Sequence, residues 1–154
     1  MIWKTILVPH DFSSAANHAA AIARDEAKTH GARILLLHVI DLPHQLQPDT
    51  AIVPEPGGAP ISVKDYAVAT AESHLTDIAQ RLGKDGATAT GFIRVGNPVD
   101  EILRFIDDEK VDLVAMSTHG RTGLSHLLMG SVAERVVRSC KVPVLTIRAP
   151  EHAH

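Results

Sequence analysis

Residues 117–131, Ser-Thr-His-Gly-Arg-Thr-Gly-Leu-Ser-His-Leu-Leu-Met-Gly-Ser, gather hydroxyls, two histidines, an arginine and glycines between two apolar segments. The run before them, Leu113-Val114-Ala115-Met116, reads as a short buried strand. Residues 132–137 follow with helical spacing, so Gly130-Ser131 falls where a helix begins. First-turn amides have no partner inside a helix and lie at the positive end of its dipole, which makes the spot an anion site. Gly120 and Gly130 carry no Cβ, so a phosphate can come close to their backbone. The second chemical candidate is Asp11, which follows the apolar run of residues 5–9. A carboxylate there can accept hydrogen bonds from sugar hydroxyls, although Asp also opens turns before helices. The two places act on one ligand only if the fold brings both to a single cleft.

The elements that must do this alternate along the chain. Residues 5–9 form a first strand, too short for a helix. Ser13 or Ser14 caps an alanine-rich helix that stops at Gly31. Residues 33–40 make a second strand whose continuous apolar character calls for cover on both faces. Over residues 41–62 the pattern dissolves. Pro43, Pro48, Pro54, Pro56 and Pro60, with Gly57 and Gly58, predict a mobile insertion, with a lid as the alternative. Ser62 caps a second helix, with Ala71, Leu75, Ile78 and Leu82 on one stripe and an end at Gly83. Residues 88–95 are a third strand. Asn97 as N-cap and Pro98 at the first helical position open a third helix, buried through Val99, Ile102, Leu103 and Ile106. Residues 113–117 give the fourth strand, and a fifth, over residues 142–147, follows the last helix. Strand–helix alternation implies an α/β fold: an open parallel sheet of five strands with helices on both faces, joined by right-handed crossovers. Ligands of such sheets bind at the carboxyl ends of the strands, where strand order reverses. Pro143 places the fifth strand at an edge, and pairing with its own copy would cover that edge. Residues 1–149 are expected to form one domain, followed by a tail over 150–154.

Composition narrows the partners. A formal net charge of −3 is unsuited to neutralising nucleic-acid phosphates. Aromatics at 3% are too few for base-stacking platforms and leave the core to Ala, Val, Leu and Ile. The single cysteine, Cys140, excludes an intrachain disulfide. It falls in the apolar series of Val132, Val136 and Val137, where buried packing is expected. The ten histidines show no zinc-ligand spacing and are read mostly as surface or loop imidazoles. Apolar runs are too short to span a bilayer, and Met1-Ile2-Trp3-Lys4 leads straight into a strand pattern, so a cytoplasmic location is expected.

Ile6-Leu7-Val8-Pro9-His10-Asp11-Phe12-Ser13, Leu36-Leu37-His38-Val39, Gly96-Asn97-Pro98, residues 117–136 and Val142-Pro143-Val144-Leu145 resemble the universal stress protein family in order and over nearly the whole chain. The resemblance implies a Rossmann-like fold of the adenine nucleotide alpha hydrolase type, strand order 3-2-1-4-5, and a homodimer through the fifth strand. The family's ATP-binding branch has glycine, two residues, glycine, nine residues, glycine, then Ser or Thr. Gly120, Gly130 and Ser131 match it, while Ser117 stands at the first glycine, small and with a hydroxyl that can donate. On that resemblance Asp11 would hold ribose, Pro9 and Val39 would border adenine, and Met116 would line the pocket. Gly120, Gly130 and Ser131 would bind phosphates, with Ser117, His119 and Arg121 close by. The cofactor implied is ATP, with Mg²⁺ able to accompany it. Two functions follow. One is an ATP-binding, dimeric stress-response or regulatory module. The other, favoured by Ser117, is a scaffold for protein interaction that binds no nucleotide. No nucleophile–base pair or Walker lysine is evident, so any hydrolysis of ATP is expected to be slow. A phosphoacceptor role for Asp11 would need a second acid beside it, and His10 stands there instead.

Overall fold

The computed structural model describes residues 1–119 and 129–150. Strand β1 (Thr5–Pro9) leads to helix α1 (Ser14–His30), and β2 (Arg33–Ile40) follows. Two short strands, β3 (Ala51–Ile52) and β4 (Ile61–Ser62), precede α2 (Val63–Lys84) and β5 (Thr88–Val95). Then come α3 (Pro98–Asp108), β6 (Leu113–Ser117), α4 (Ser131–Ser139) and β7 (Val144–Ile147).

The main sheet has five strands in the order β5-β2-β1-β6-β7, all pairs parallel. The labels differ from 3-2-1-4-5 because β3 and β4 enter the count; with that pair set aside, the sequence of strands across the sheet is the same. No helix among the described residues is long and apolar enough to cross a membrane.

Side chains of a strand alternate between faces, and this alternation divides the core in two. Ile6, Val8, Ile34, Leu36, Leu113 and Ala115 pack with alanines of α1 and with Leu75, Ile78 and Leu82 of α2. Leu7, Leu35, Leu37, Val114 and Met116 pack on the other side with Val99, Ile102, Phe105 and Ile106 of α3 and Ala133 and Val136 of α4. Both faces are thus covered, which explains the unbroken apolar runs. Ala19, Ala20, Ala23 and Ala27 bring α1 close to the sheet because nothing beyond Cβ intervenes.

Caps fix where the helices start. Ser13 Oγ accepts the Ala16 amide at 3.1 Å, Ser62 Oγ that of Asp65 at 3.0 Å, and Asn97 Oδ1 that of Asp100 at 3.1 Å. Gly31 closes α1 in the left-handed region, at φ 68°. Ser13→Ala is expected to cost about 1 kcal/mol of stability, read as a lowered midpoint in urea at unchanged slope.

Four expectations need correction. Residues 41–62 are not structureless: Ala51 pairs with Ser62 and Ile52 with Ile61 in an antiparallel ribbon. The amides of Val63 and Lys64 donate to the carbonyls of Thr50 and Pro48, tying the ribbon to the start of α2. Strands of two residues are too short to show a period. On α3 the fully buried position is Phe105, while Leu103 is only partly buried. Helix α2 runs past Gly83 to Lys84. Cys140 is the C-cap of α4 and half-buried rather than buried.

Candidate functional site

β1 and β6 are neighbours, but α1 leaves β1 toward one face of the sheet and α4 leaves β6 toward the other. Chains diverging from adjacent strands open a crevice at their carboxyl ends. A cleft of about 250 Å³ lies there.

On the β1 side, three side chains in close succession fold back onto backbone amides. His10 Nδ1 accepts the Phe12 amide at 3.0 Å, Asp11 Oδ1 accepts the Ser13 amide at 3.0 Å, and Ser13 caps α1. A nitrogen that accepts an N–H must carry a lone pair, so the His10 proton sits on Nε2. That atom lies 3.1 Å from Asn17 Oδ1 and donates to it. The turn holds Phe12 at φ 65°, a strained region for a residue with a bulky side chain. Phe12 packs against His38 of β2, with ring centres 4.3 Å apart, and edge-on to His74 of α2 at 5.0 Å. His38 Nδ1 donates to the His10 carbonyl at 2.7 Å. His10 itself is 3% exposed. Burial pushes its imidazole below the ordinary histidine value, and the hydrogen bond to Asn17 and the nearby Asp11 charge only partly oppose this. The histidines are expected mostly on the surface or in loops, and His10 does lie in a loop, but it is buried.

On the β6 side, the Thr118 amide donates to Ile147 of β7, and the Thr118 carbonyl accepts the Gly130 amide. The start of α4 is therefore tied to the end of β6. Ser117 Oγ donates to the His119 carbonyl at 2.8 Å, so its proton is turned to the backbone rather than to a ligand. Thr118 Oγ1 lies 3.0 Å from His119 Nδ1. Gly130 is the N-cap of α4 and supplies no side-chain hydrogen bond, in contrast to Ser13, Ser62 and Asn97. The first turn of the helix is closed by the Glu134 amide donating to the Gly130 carbonyl. The amides of Ser131, Val132 and Ala133 precede that bond, and these residues line the cleft.

Eight of the expected site residues border this one cleft: Pro9, Asp11, Val39, Met116, Ser117, His119, Gly130 and Ser131. Gly120 and Arg121 lie outside the described residues. Sequence reasoning missed Pro98 and Ile102, which close the cleft from α3. The Gly96-Asn97-Pro98 break at the end of β5 is the available signal: it marks a strand's carboxyl end and a stretch of the resemblance, but by itself gives no role to the first turns of α3. Met116, expected in the core on its chemistry and in the pocket on the resemblance, does both: it is 5% exposed and lines the cleft.

Fold and cleft together define a doubly wound α/β protein with its crevice at the switch point. The chain belongs to the universal stress protein family, whose model matches residues 3–148. It is 31% identical to a universal stress protein of Thermus aquaticus, over 96% of this chain and all of that one. A universal stress protein of Methanocaldococcus jannaschii is 30% identical, with 96% of each chain covered. The solved structure of that archaeal protein superposes with a TM-score of 0.79 over 97% of this chain and 99% of the other, at 28% identity. A universal stress protein of Archaeoglobus fulgidus, solved in complex with dAMP, shares the fold at a TM-score of 0.65, 24% identity, and coverage of 96% and 99%.

Proposed function

We infer that the cleft binds an adenine mononucleotide, ATP foremost, and that the protein serves as a dimeric regulatory module in the stress response. One observation carries this reading: Asp11 at the end of β1 and the first turn of α4, whose N-cap is the glycine Gly130, line the same cleft. The first offers a carboxylate to ribose hydroxyls, and the second offers amide donors and a positive dipole end to phosphates. Pro9, Val39 and Met116 supply apolar surface and backbone groups for the base. Gly130 and Ser131 bind the phosphates, with His119 beside them; the family motif assigns Gly120 and Arg121, outside the described residues, to the same task, and Mg²⁺ can travel with the nucleotide. The dAMP complex of the Archaeoglobus fulgidus relative supports an adenine ligand for this fold. Hydrolysis is slow, since the sequence shows no nucleophile–base pair and no Walker lysine. The homodimer forms through β7, the end strand of the sheet among the described residues, whose outer edge a second copy would cover.

Ser117 at the motif's first glycine raises a second reading, a scaffold that binds no nucleotide. Its hydroxyl is tied to the His119 carbonyl, which leaves the cleft side small. Calorimetry with ATP and Mg²⁺ on the wild-type protein and on Ser117→Gly separates the two. Both are expected to bind. Their affinities should differ by less than about tenfold, because one neutral hydrogen bond is at stake. Binding by Ser117→Gly alone, or by neither at millimolar ATP, would establish the scaffold reading for the natural chain.

A further inference from the structure

We propose that His10 is a proton-sensitive positioning residue: neutral, it holds the turn that places Asp11 in the cleft, and once protonated it releases that turn and weakens ligand binding. The proposal rests on the nucleotide reading for its functional half and on the turn geometry alone for the rest.

The geometry leaves His10 one usable state. Its Nδ1 must present a lone pair to the Phe12 amide, and its Nε2–H is committed to Asn17 of α1. A second proton on Nδ1 would set two N–H groups against each other at a contact now 3.0 Å long. The ring is 3% exposed although His10 borders the cleft, so a second proton would meet little water there. The segment it restrains is itself strained, with Phe12 at φ 65°. Such a conformation persists only while its surroundings over-determine it. Loss of the Phe12 acceptor therefore loosens residues 10–13, and Asp11 is one of them.

The groups facing His10 set when this happens. Asp11 on the same turn favours the added proton, while His38 of β2 and Arg81 of α2 oppose it. His74 of α2 reaches the cluster through Phe12.

The sign of the linkage is fixed. Free imidazole takes up its proton near 6.5, and folded His10 does so only at lower pH. Between those two values the unfolded chain holds more protons, so stability falls as pH falls through the window and recovers as pH rises.

The test uses the whole chain and two variants. Asn carries an acceptor at the place of Nδ1 but does not titrate, so His10→Asn should keep the turn at every pH, whereas His10→Ala should lose it throughout. NMR on the ligand-free protein follows the His10 ring and the Phe12 amide from neutral pH to the onset of acid unfolding. The expected result is that the Phe12 amide shifts and loses protection from exchange with the midpoint of the His10 ring. Calorimetry with ATP over the same range should show wild type losing about three- to tenfold more affinity than His10→Asn, the size of one hydrogen bond. At neutral pH, His10→Asn should bind far better than His10→Ala. A Phe12 amide indifferent to His10 protonation, a His10 that never titrates before unfolding, or parallel affinity curves for wild type and His10→Asn would each overturn the proposal. If no ATP binds at any pH while Phe12 still follows His10, the proton-sensitive turn stands and the nucleotide reading falls.

Discussion

Asp11→Ala is expected to weaken ATP binding by about ten- to a hundredfold, the range for losing hydrogen bonds to a charged acceptor. The substitution removes two things, because Asp11 Oδ1 also accepts the Ser13 amide at 3.0 Å. Loss of that bond loosens the residue that caps α1, so Asp11→Ala should also lower stability by about 1 kcal/mol. Asp11→Asn separates the roles. An amide oxygen can still accept the Ser13 amide, so stability should stay near wild type. Affinity should still fall, though less than in Asp11→Ala, because the acceptor facing the sugar is no longer charged. Calorimetry and urea unfolding on the same three proteins give both readouts. If Asp11→Ala binds ATP as tightly as wild type, Asp11 is a turn residue only and the cleft does not hold ribose where we place it.

How much of this could be read from the chain follows from the reach of each signal. Strand runs, caps and the Gly31 stop are local, and they located every strand of the main sheet. Ser13, Ser62 and Asn97 each accept the amide that their position calls for. The β1–β6 adjacency that unites Asp11 with Gly130 and Ser131 came from the resemblance rather than from periodicity, since pairing partners leave no mark within one strand. The His10–Phe12–His38–His74 cluster joins three elements far apart in sequence, and no spacing announces it. Scattered histidines read mostly as surface or loop groups, and which loop imidazole is buried depends on the assembled sheet. The β3–β4 ribbon was hidden among prolines because a pair of two-residue strands has no alternation to detect.

Helix α3 illustrates the same limit with a larger energy at stake. Its apolar residues permit two overlapping stripes, one through Leu103 and one through Phe105, and a helical period alone does not choose between them. The structure chooses Phe105, which is fully buried. Its ring meets Phe92 of β5 edge-on at 5.3 Å, and the Arg94 guanidinium lies 5.4 Å from its centre. Phe105→Ala should therefore cost about 3–5 kcal/mol, the range for emptying a buried aromatic site. Against a typical domain stability of about 5–15 kcal/mol, that is a large fraction of the whole. Leu103→Ala, at a partly buried position, should cost clearly less. The consequence extends to the cleft, because Ile102 and Pro98 of the same helix form one of its walls. A helix that settles into the space left by Phe105 shifts that wall, so Phe105→Ala should also weaken ATP binding at temperatures where it remains folded. Urea unfolding of the two variants decides the first point. A larger loss for Leu103→Ala than for Phe105→Ala would mean that α3 presents its other stripe to the sheet, and the wall of the cleft would have to be redrawn with it.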